Sequence, residues 1–261
     1  MSAALLEVRR LTVPRGARDI IHGVTLSVAP AERIALVGPN AAGKSTLLAA
    51  LAGLLPPGSG EILLQQQPLG EIRGRDLARR VALVVALQDS GPTLSVREST
   101  ELGRYPHTGP FQNLGARDQA AVAQAIAETS LHGLETRMLG SLSAGERQRA
   151  HVARALAQEP RLLLLDEPSA HLDIGHGLDL FAMLTTIAAG GVAIIAVVHD
   201  LVAAAQWATR MIVMHEGRIV DDGAPAVVMR GDALGRAFGV SIAEARTAGE
   251  PDSPTWRFKR A

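Results

Sequence analysis

The stretch that most constrains this chain is Gly38-Pro39-Asn40-Ala41-Ala42-Gly43-Lys44-Ser45-Thr46. It lies between a short apolar run, Ile34-Ala35-Leu36-Val37, and a pattern with leucines at 47, 48 and 51. An apolar run, a glycine-bounded loop and helical spacing predict strand, loop and helix in that order. The spacing is G-x-x-x-x-G-K-S, a phosphate loop. In such a loop the backbone N–H groups point inward over a helix N-terminus, where unpaired donors and the helix dipole both favour an anion. Lys44 adds a charge for the outer phosphates, and the Ser45 hydroxyl is placed to ligate Mg²⁺.

A chain of 261 residues is long enough for one large domain, or for one domain carrying an inserted subdomain. Its formal net charge is zero, so nothing suggests a basic face for nucleic acid. There is no cysteine, which excludes disulfides and cysteine-bound metal and fits a reducing compartment. The N-terminus lacks a basic start followed by an apolar core and does not read as a signal peptide. Leu180 to Val198 carries no charge and approaches the length of a membrane span. However, Leu180, Met183, Leu184 and Ile187 fall at helical spacing, Gly190-Gly191 breaks the run, and Val192 to Val198 is strand-like. An amphipathic helix, a turn and a buried parallel strand fit better.

In chain order, 5–13 and 20–28 read as strands joined through Pro14-Arg15-Gly16, followed by a strand at 33–37. The helix after the loop is expected to run from Lys44 to Leu54, stopped by Pro56-Pro57-Gly58-Ser59-Gly60. Strands follow at 61–64 and 81–87, the second ending at Gln88, where ligands of α/β sheets are found. Residues 89–142 lose strand character, and Ala116 to Leu131 reads as a helix with apolar positions at 122, 126 and 127. Near the start of this helical insert, Glu101 to His107 reads as a helix end running into a loop stopped by Pro106. Ser143 and Glu146 have capping-box spacing and open a helix through Gln158.

Leu162 to Leu165 is a buried strand ending in Asp166 and Glu167. Two acids on an apolar strand are costly unless a cation or substrate meets them, and beside a phosphate loop Mg²⁺ requires such a carboxylate. Ala193 to Val198 ends at His199, at the same sheet edge as Gln88 and Asp166. Residues 210–221 read as an edge hairpin turning at Glu216-Gly217. Beyond Gly239 the chain is polar and irregular, and weak order is expected. His171 and His176 are the nearest approach to zinc spacing among the eight histidines, and the pattern does not support a zinc site.

Taken together, these elements resemble the ATP-binding subunit of an ABC transporter, over nearly the whole chain to Gly239. The resemblance identifies 38–46 with the Walker A loop, Gln88 with the Q-loop and Leu142 to Glu146 with the family signature. It likewise matches Leu162 to Glu167 to the Walker B strand, Ser169 to Asp173 to the D-loop and His199 to the H-loop. It implies an α/β fold: a P-loop NTPase core with a mixed, mainly parallel sheet, an antiparallel β subdomain and a helical subdomain inserted at about 88–142. The ATPase domain would span 1–239, with 240–261 a tail.

ATP and Mg²⁺ are the implied ligands. Gly38, Pro39, Asn40, Ala41, Ala42, Gly43, Lys44, Ser45 and Thr46 would hold the phosphates; Ser45, Asp166 and Gln88 would attend the metal. Glu167 would orient or deprotonate the attacking water, and His199 would contact the γ-phosphate. In this family two subunits pair head to tail, so that Ser143, Ala144, Gly145 and Glu146 of one cap the phosphate held by the other. Ala144 and Glu146 replace the commoner glycine and glutamine. Ala41 replaces a frequent glycine and would be strained at positive φ. Arg15 stands where an aromatic usually stacks on adenine, and a guanidinium also stacks on a base.

Leu102-Gly103-Arg104-Tyr105-Pro106-His107 and Ala170-His171-Leu172-Asp173-Ile174 with His176 sharpen the likeness to importer ATPases for siderophores, haem and cobalamin. The implied partners are a second ATPase subunit in a homodimer, a separate transmembrane permease and a substrate-binding protein. The implied location is peripheral, on the cytoplasmic face of the inner membrane. Two other functions fit a phosphate loop. A non-transport ATPase of the superfamily would usually carry a long coiled coil or two ATPase halves, which this sequence lacks. A nucleotide-regulated binding protein would be favoured by loss of Glu167 or His199, and both are present.

Overall fold

The computed structural model describes residues 4–85, 94–109, 113–170, 172–245 and 255–260. Two long antiparallel strands come first, β1 (Leu6–Arg15) and β2 (Arg18–Val28), then β3 (Arg33–Val37), the phosphate loop and α1 (Lys44–Leu51). β4 (Ser59–Leu64) and β5 (Gln67–Pro68) complete a four-stranded sheet in the order β2-β1-β4-β5. After α2 (Gly74–Ala78) and β6 (Val81–Val84) comes the helical insert: α3 (Val96–Glu101), a 3₁₀ turn (Leu102–Arg104), α4 (Tyr105–Thr108) and α5 (Ala116–Glu128). The chain returns through α6 (Ala144–Leu156), β7 (Leu162–Leu165), α7 (Ile174–Ala189), β8 (Ala193–Val197) and α8 (Leu201–Trp207). It ends with the hairpin β9 (Arg210–His215) and β10 (Arg218–Gly223), α9 (Pro225–Arg230), α10 (Asp232–Phe238) and the pair β11 (Val240–Ala245) and β12 (Thr255–Arg260).

The second sheet has the order β10-β9-β3-β8-β7-β6, parallel except for the edge strand β10. Apart from Arg33 at the start of β3, its central strands β3, β8 and β7 are apolar because both faces are covered, and the two-residue period divides them between two cores. Ile34, Leu36, Leu162, Leu164, Ile195 and Val197 face the four-stranded sheet and α1. Ala35, Val37, Leu163, Leu165, Ile194 and Ala196 face α6, α7 and α8. A third cluster closes the insert around Val122, Ile126, Leu131 and Leu142, packed on Ala150 and Ala153 of α6. The remaining buried position on α5 is Ala125, one turn from Val122, rather than Ala127.

Parallel pairing aligns the strand ends. Leu36 lies opposite Val197, Leu165 opposite Ala196, and Val84 opposite Leu165. The chain therefore leaves β3, β8, β7 and β6 at one edge, the crevice where open α/β sheets bind ligands. The uncharged stretch from Leu180 resolves into the rest of α7, a turn through Gly191 (φ +100°) and β8. No helix among the described residues is long and apolar enough to cross a membrane.

Weak order beyond Gly239 is corrected for two segments. β11 and β12 pair antiparallel, with Ile242 opposite Phe258. Ile242 and Trp256 pack against the core beneath, and Arg230 holds Glu244 at 2.9 Å. The polarity that suggested disorder is concentrated in 247–254, outside the described residues.

Candidate functional site

The phosphate loop is shaped by steric exclusion. β3 is followed by Gly38 (φ +153°), where a Cβ would run into the backbone carbonyl of Met214 on β9. Gly43 (φ +99°) is the N-cap of α1, and a Cβ there would lie 2.9 Å from Ile21. Ala41 stands at φ +64°, the strained conformation anticipated for it, which costs roughly 1–2 kcal/mol for a residue with a Cβ. α1 begins with no side-chain cap and no acid in its first turn, so its first N–H groups remain open to an anion. Lys44 is buried, its Nζ donating to the carbonyls of Gly38 at 2.8 Å and Pro39 at 2.9 Å. Burial lowers its pKa, opposed by the nearby Glu167 and Asp166 carboxylates.

β7 brings its two acids to the same place. Asp166 N–H donates to Val84 O at 2.8 Å, extending the ladder past the strand end. Burial raises the Asp166 pKa, opposed by a hydrogen bond from the Ser45 hydroxyl. Its Oδ1 is buried without a hydrogen-bond partner among the described residues. A buried carboxylate oxygen in need of a partner, beside a hydroxyl, suits a hard cation that takes its other ligands from phosphate and water. Glu167 stands at φ +53° with its Oε1 2.7 Å from His199 Nε2. Arg15, Asn40, Lys44, Thr46, Glu167 and His199 border one cleft of 590 Å³. Ile20 also borders it, a contribution hidden in the sequence because it reads only as a strand residue. Gln88 and His171 lie outside the described residues.

The other predicted group stands apart. Ser143 caps α6: its Oγ accepts from Glu146 N–H at 3.2 Å, while Glu146 Oε2 accepts from Ser143 N–H at 2.8 Å. That backbone bond holds the Glu146 pKa below its usual value. None of Ser143, Ala144, Gly145 and Glu146 borders the cleft of its own chain. Among the described residues no three histidine, aspartate or glutamate side chains gather as a metal site.

The segment Leu102 to His107 departs from expectation. Pro106 does not stop a helix; it occupies the first turn of α4, where a missing N–H is tolerated. Arg104 is not on display but 1% exposed. Its guanidinium donates to Asp118 Oδ1 at 2.9 Å, Glu159 Oε2 at 2.9 Å and Ala157 O at 2.6 Å. His107 Nε2 lies 2.9 Å from Gln158 O. These bonds tie the segment to the start of α5 and the end of α6, and no local periodicity announces partners more than fifty residues away. Leu102 and Tyr105 are the half-exposed members. The surface arginine beside Tyr105 is Arg75, whose guanidinium carbon is 6.0 Å from the ring centre.

Arg15 borders the cleft beside the loop. A stacked guanidinium at an exposed site contributes about 0.5–1 kcal/mol. Arg15→Ala is therefore expected to raise the ATP dissociation constant about two- to fivefold, and Arg15→Tyr to restore or improve it. Equilibrium titration with a fluorescent ATP analogue reads the difference, and unchanged affinity in both variants removes Arg15 from the site.

The fold and the cleft define a phosphate-loop nucleotide-binding protein. Residues 21–170 match the family model described as ABC transporter. The chain is 40% identical over 253 residues to the hemin import ATP-binding protein HmuV of Myxococcus xanthus, covering 94% of each. It is 34% identical to the ferric enterobactin transport ATP-binding protein FepC of Escherichia coli, covering 96% of this chain and 93% of that one. Among solved structures it resembles cbiO1 of Clostridium perfringens, part of the ABC transporter complex cbiONQ, at 26% identity and TM-score 0.79, covering 90% and 94%. This chain belongs to the ABC transporter family, as an ATP-binding subunit that hydrolyses ATP.

Proposed function

We propose that the protein drives uptake of a siderophore-bound iron, haem or cobalamin through a separate permease, working as a head-to-tail homodimer on the cytoplasmic face of the membrane. A substrate-binding protein would deliver the cargo. The domain reading is 1–239 for the ATPase, with 88–142 as its helical insert. One observation carries the proposal: an uncapped α1, Lys44, Ser45, Glu167 and His199 surround one cleft, while the capped start of α6 stands outside it. A site divided in this way is completed by a second copy. The relatives named for hemin and ferric enterobactin, similar over almost their full length, support the cargo class.

Each residue has a role in this reading. The loop N–H groups and Lys44 hold the phosphates, and Ser45 and Asp166 would hold Mg²⁺, which neutralises phosphate charge when bound. Gln88 is assigned beside metal and water by its place in the sequence. Glu167 orients and deprotonates water, held by His199, which also reaches the γ-phosphate. Phosphoryl transfer depends mainly on positioning and charge stabilisation, so no covalent nucleophile is required.

The permease would dock at Leu102 and Tyr105, with Arg75 alongside, since tyrosine and arginine anchor interfaces. Replacing Leu102 and Tyr105 with alanine should leave basal ATP hydrolysis unchanged and abolish its stimulation by the reconstituted permease, together with uptake. Arg104 is excluded from this test because its buried bonds make it part of the scaffold. Full uptake by the double variant would reject the docking surface.

A further inference from the structure

The start of α6 rests on a specific side chain. A Cβ built on Gly145 would lie 2.9 Å from His176 Cδ2, 3.1 Å from its Cγ and 3.3 Å from its Cβ. The imidazole therefore covers Gly145, which is buried although Ser143 and Ala144 beside it are exposed. The ring is not free to swing away. Its Nδ1 lies 2.7 Å from Asp173 Oδ2, while Asp173 Oδ1 accepts from the His176 backbone N–H at 2.8 Å. Asp173 is the N-cap of α7, so both bonds fix the ring to the start of a sixteen-residue helix. The Asp173 pKa is lowered by those same bonds, backbone first and ring second, which keeps it the charged acceptor this arrangement needs.

Asp173 is in turn close to the catalytic acids along the chain. From Glu167 the chain reaches it through a tight turn, with Ala170 N–H donating to Glu167 O at 3.1 Å and Leu172 N–H to Ser169 O at 3.2 Å. Asp173 lies six positions after Glu167 in the chain and holds the ring that covers Gly145.

We propose that the Asp173–His176 pair is an intrasubunit strut that fixes the start of α6 against the start of α7. It makes His176 a positioning residue for ATP hydrolysis that touches no nucleotide itself. The strut holds the anion-facing end of α6 in a set relation to Asp166 and Glu167 of the same chain, so that closing a dimer brings both ends into register with both nucleotides. Glycine is required at 145 because the ring already occupies the space a side chain would take. This rests on the reading of α6 as the group that completes a partner's site.

A double-mutant cycle tests it. Gly145→Ala should lower kcat on the order of ten- to a hundredfold, the effect of displacing a catalytic group by a fraction of its own size. His176→Gly should lower kcat several-fold with monomer ATP affinity unchanged. Removing the ring also removes the clash, so Gly145→Ala with His176→Gly should recover to the level of His176→Gly alone. A double variant as inactive as Gly145→Ala overturns the strut. Thermal unfolding separates this from failure of the dimer reading: the two melting-temperature losses must be non-additive whether or not α6 serves a partner, and additive losses also overturn it. If Ser143→Arg hydrolyses ATP normally while the losses stay non-additive, the dimer reading fails and the intrasubunit contact stands.

Discussion

Glu167→Gln is expected to bind ATP with wild-type affinity and to lose turnover by roughly a hundred- to ten-thousandfold, the contribution of a positioned general base. The substitution keeps the shape of the side chain and removes only its basicity. Glu167 occupies left-handed backbone at φ +53°, which costs on the order of 1–3 kcal/mol and persists only where surrounding structure imposes it. The gain is placement, since that backbone turns the carboxylate to within 2.7 Å of His199 Nε2. Glutamine keeps a carbonyl acceptor for that nitrogen, so the cleft should remain intact. ATP would then stay bound between two subunits, and a dimer should accumulate on size-exclusion chromatography with ATP present. Lys44→Ala is the contrasting variant: it removes the cation buried against the loop carbonyls and should weaken nucleotide binding itself. Hydrolysis by Glu167→Gln at the wild-type rate would remove Glu167 from the chemistry.

Local features of the site were legible in the sequence, and contacts between distant segments were not. The phosphate loop, the acids after Leu165 and His199 after Val198 could be read because each follows a buried strand, and parallel strands share one ligand-binding edge. The hairpin at Glu216-Gly217 was equally clear, since its turn residues stand at positive φ. The burial of Arg104 has no local signal, since an arginine after a helix end usually points to water. Its partners Asp118 and Glu159 lie 14 and 55 residues away. The contact of Gly145 with His176 was hidden for the same reason, since neither residue's own helix predicts it. The final strand pair was missed because two short apolar positions, Ile242 and Trp256, were outweighed by the polar stretch between them.

Ser143→Arg is expected to leave nucleotide binding by the monomer intact and to abolish hydrolysis. Ser143 lies at the exposed start of α6, outside the cleft of its own chain, so an arginine there has nothing to obstruct in a lone subunit. In a head-to-tail dimer it would project into the partner's nucleotide. Loss of the cap is a competing explanation that magnitudes can separate. Removing a serine N-cap costs about 0.5–2 kcal/mol, and a cation at a helix N-terminus adds about 0.3–1 kcal/mol. Against a domain stability of roughly 5–15 kcal/mol, the variant should still fold. Ser143→Ala loses the same cap without the bulk or charge, so it should melt almost as early while keeping much more of its hydrolysis. If fluorescent-nucleotide titration shows Ser143→Arg losing monomer affinity as much as it loses turnover, Ser143 acts within its own chain and the divided site is wrong. If Ser143→Ala is as inactive as Ser143→Arg, the cap itself is what turnover requires, and steric entry into a partner explains nothing further.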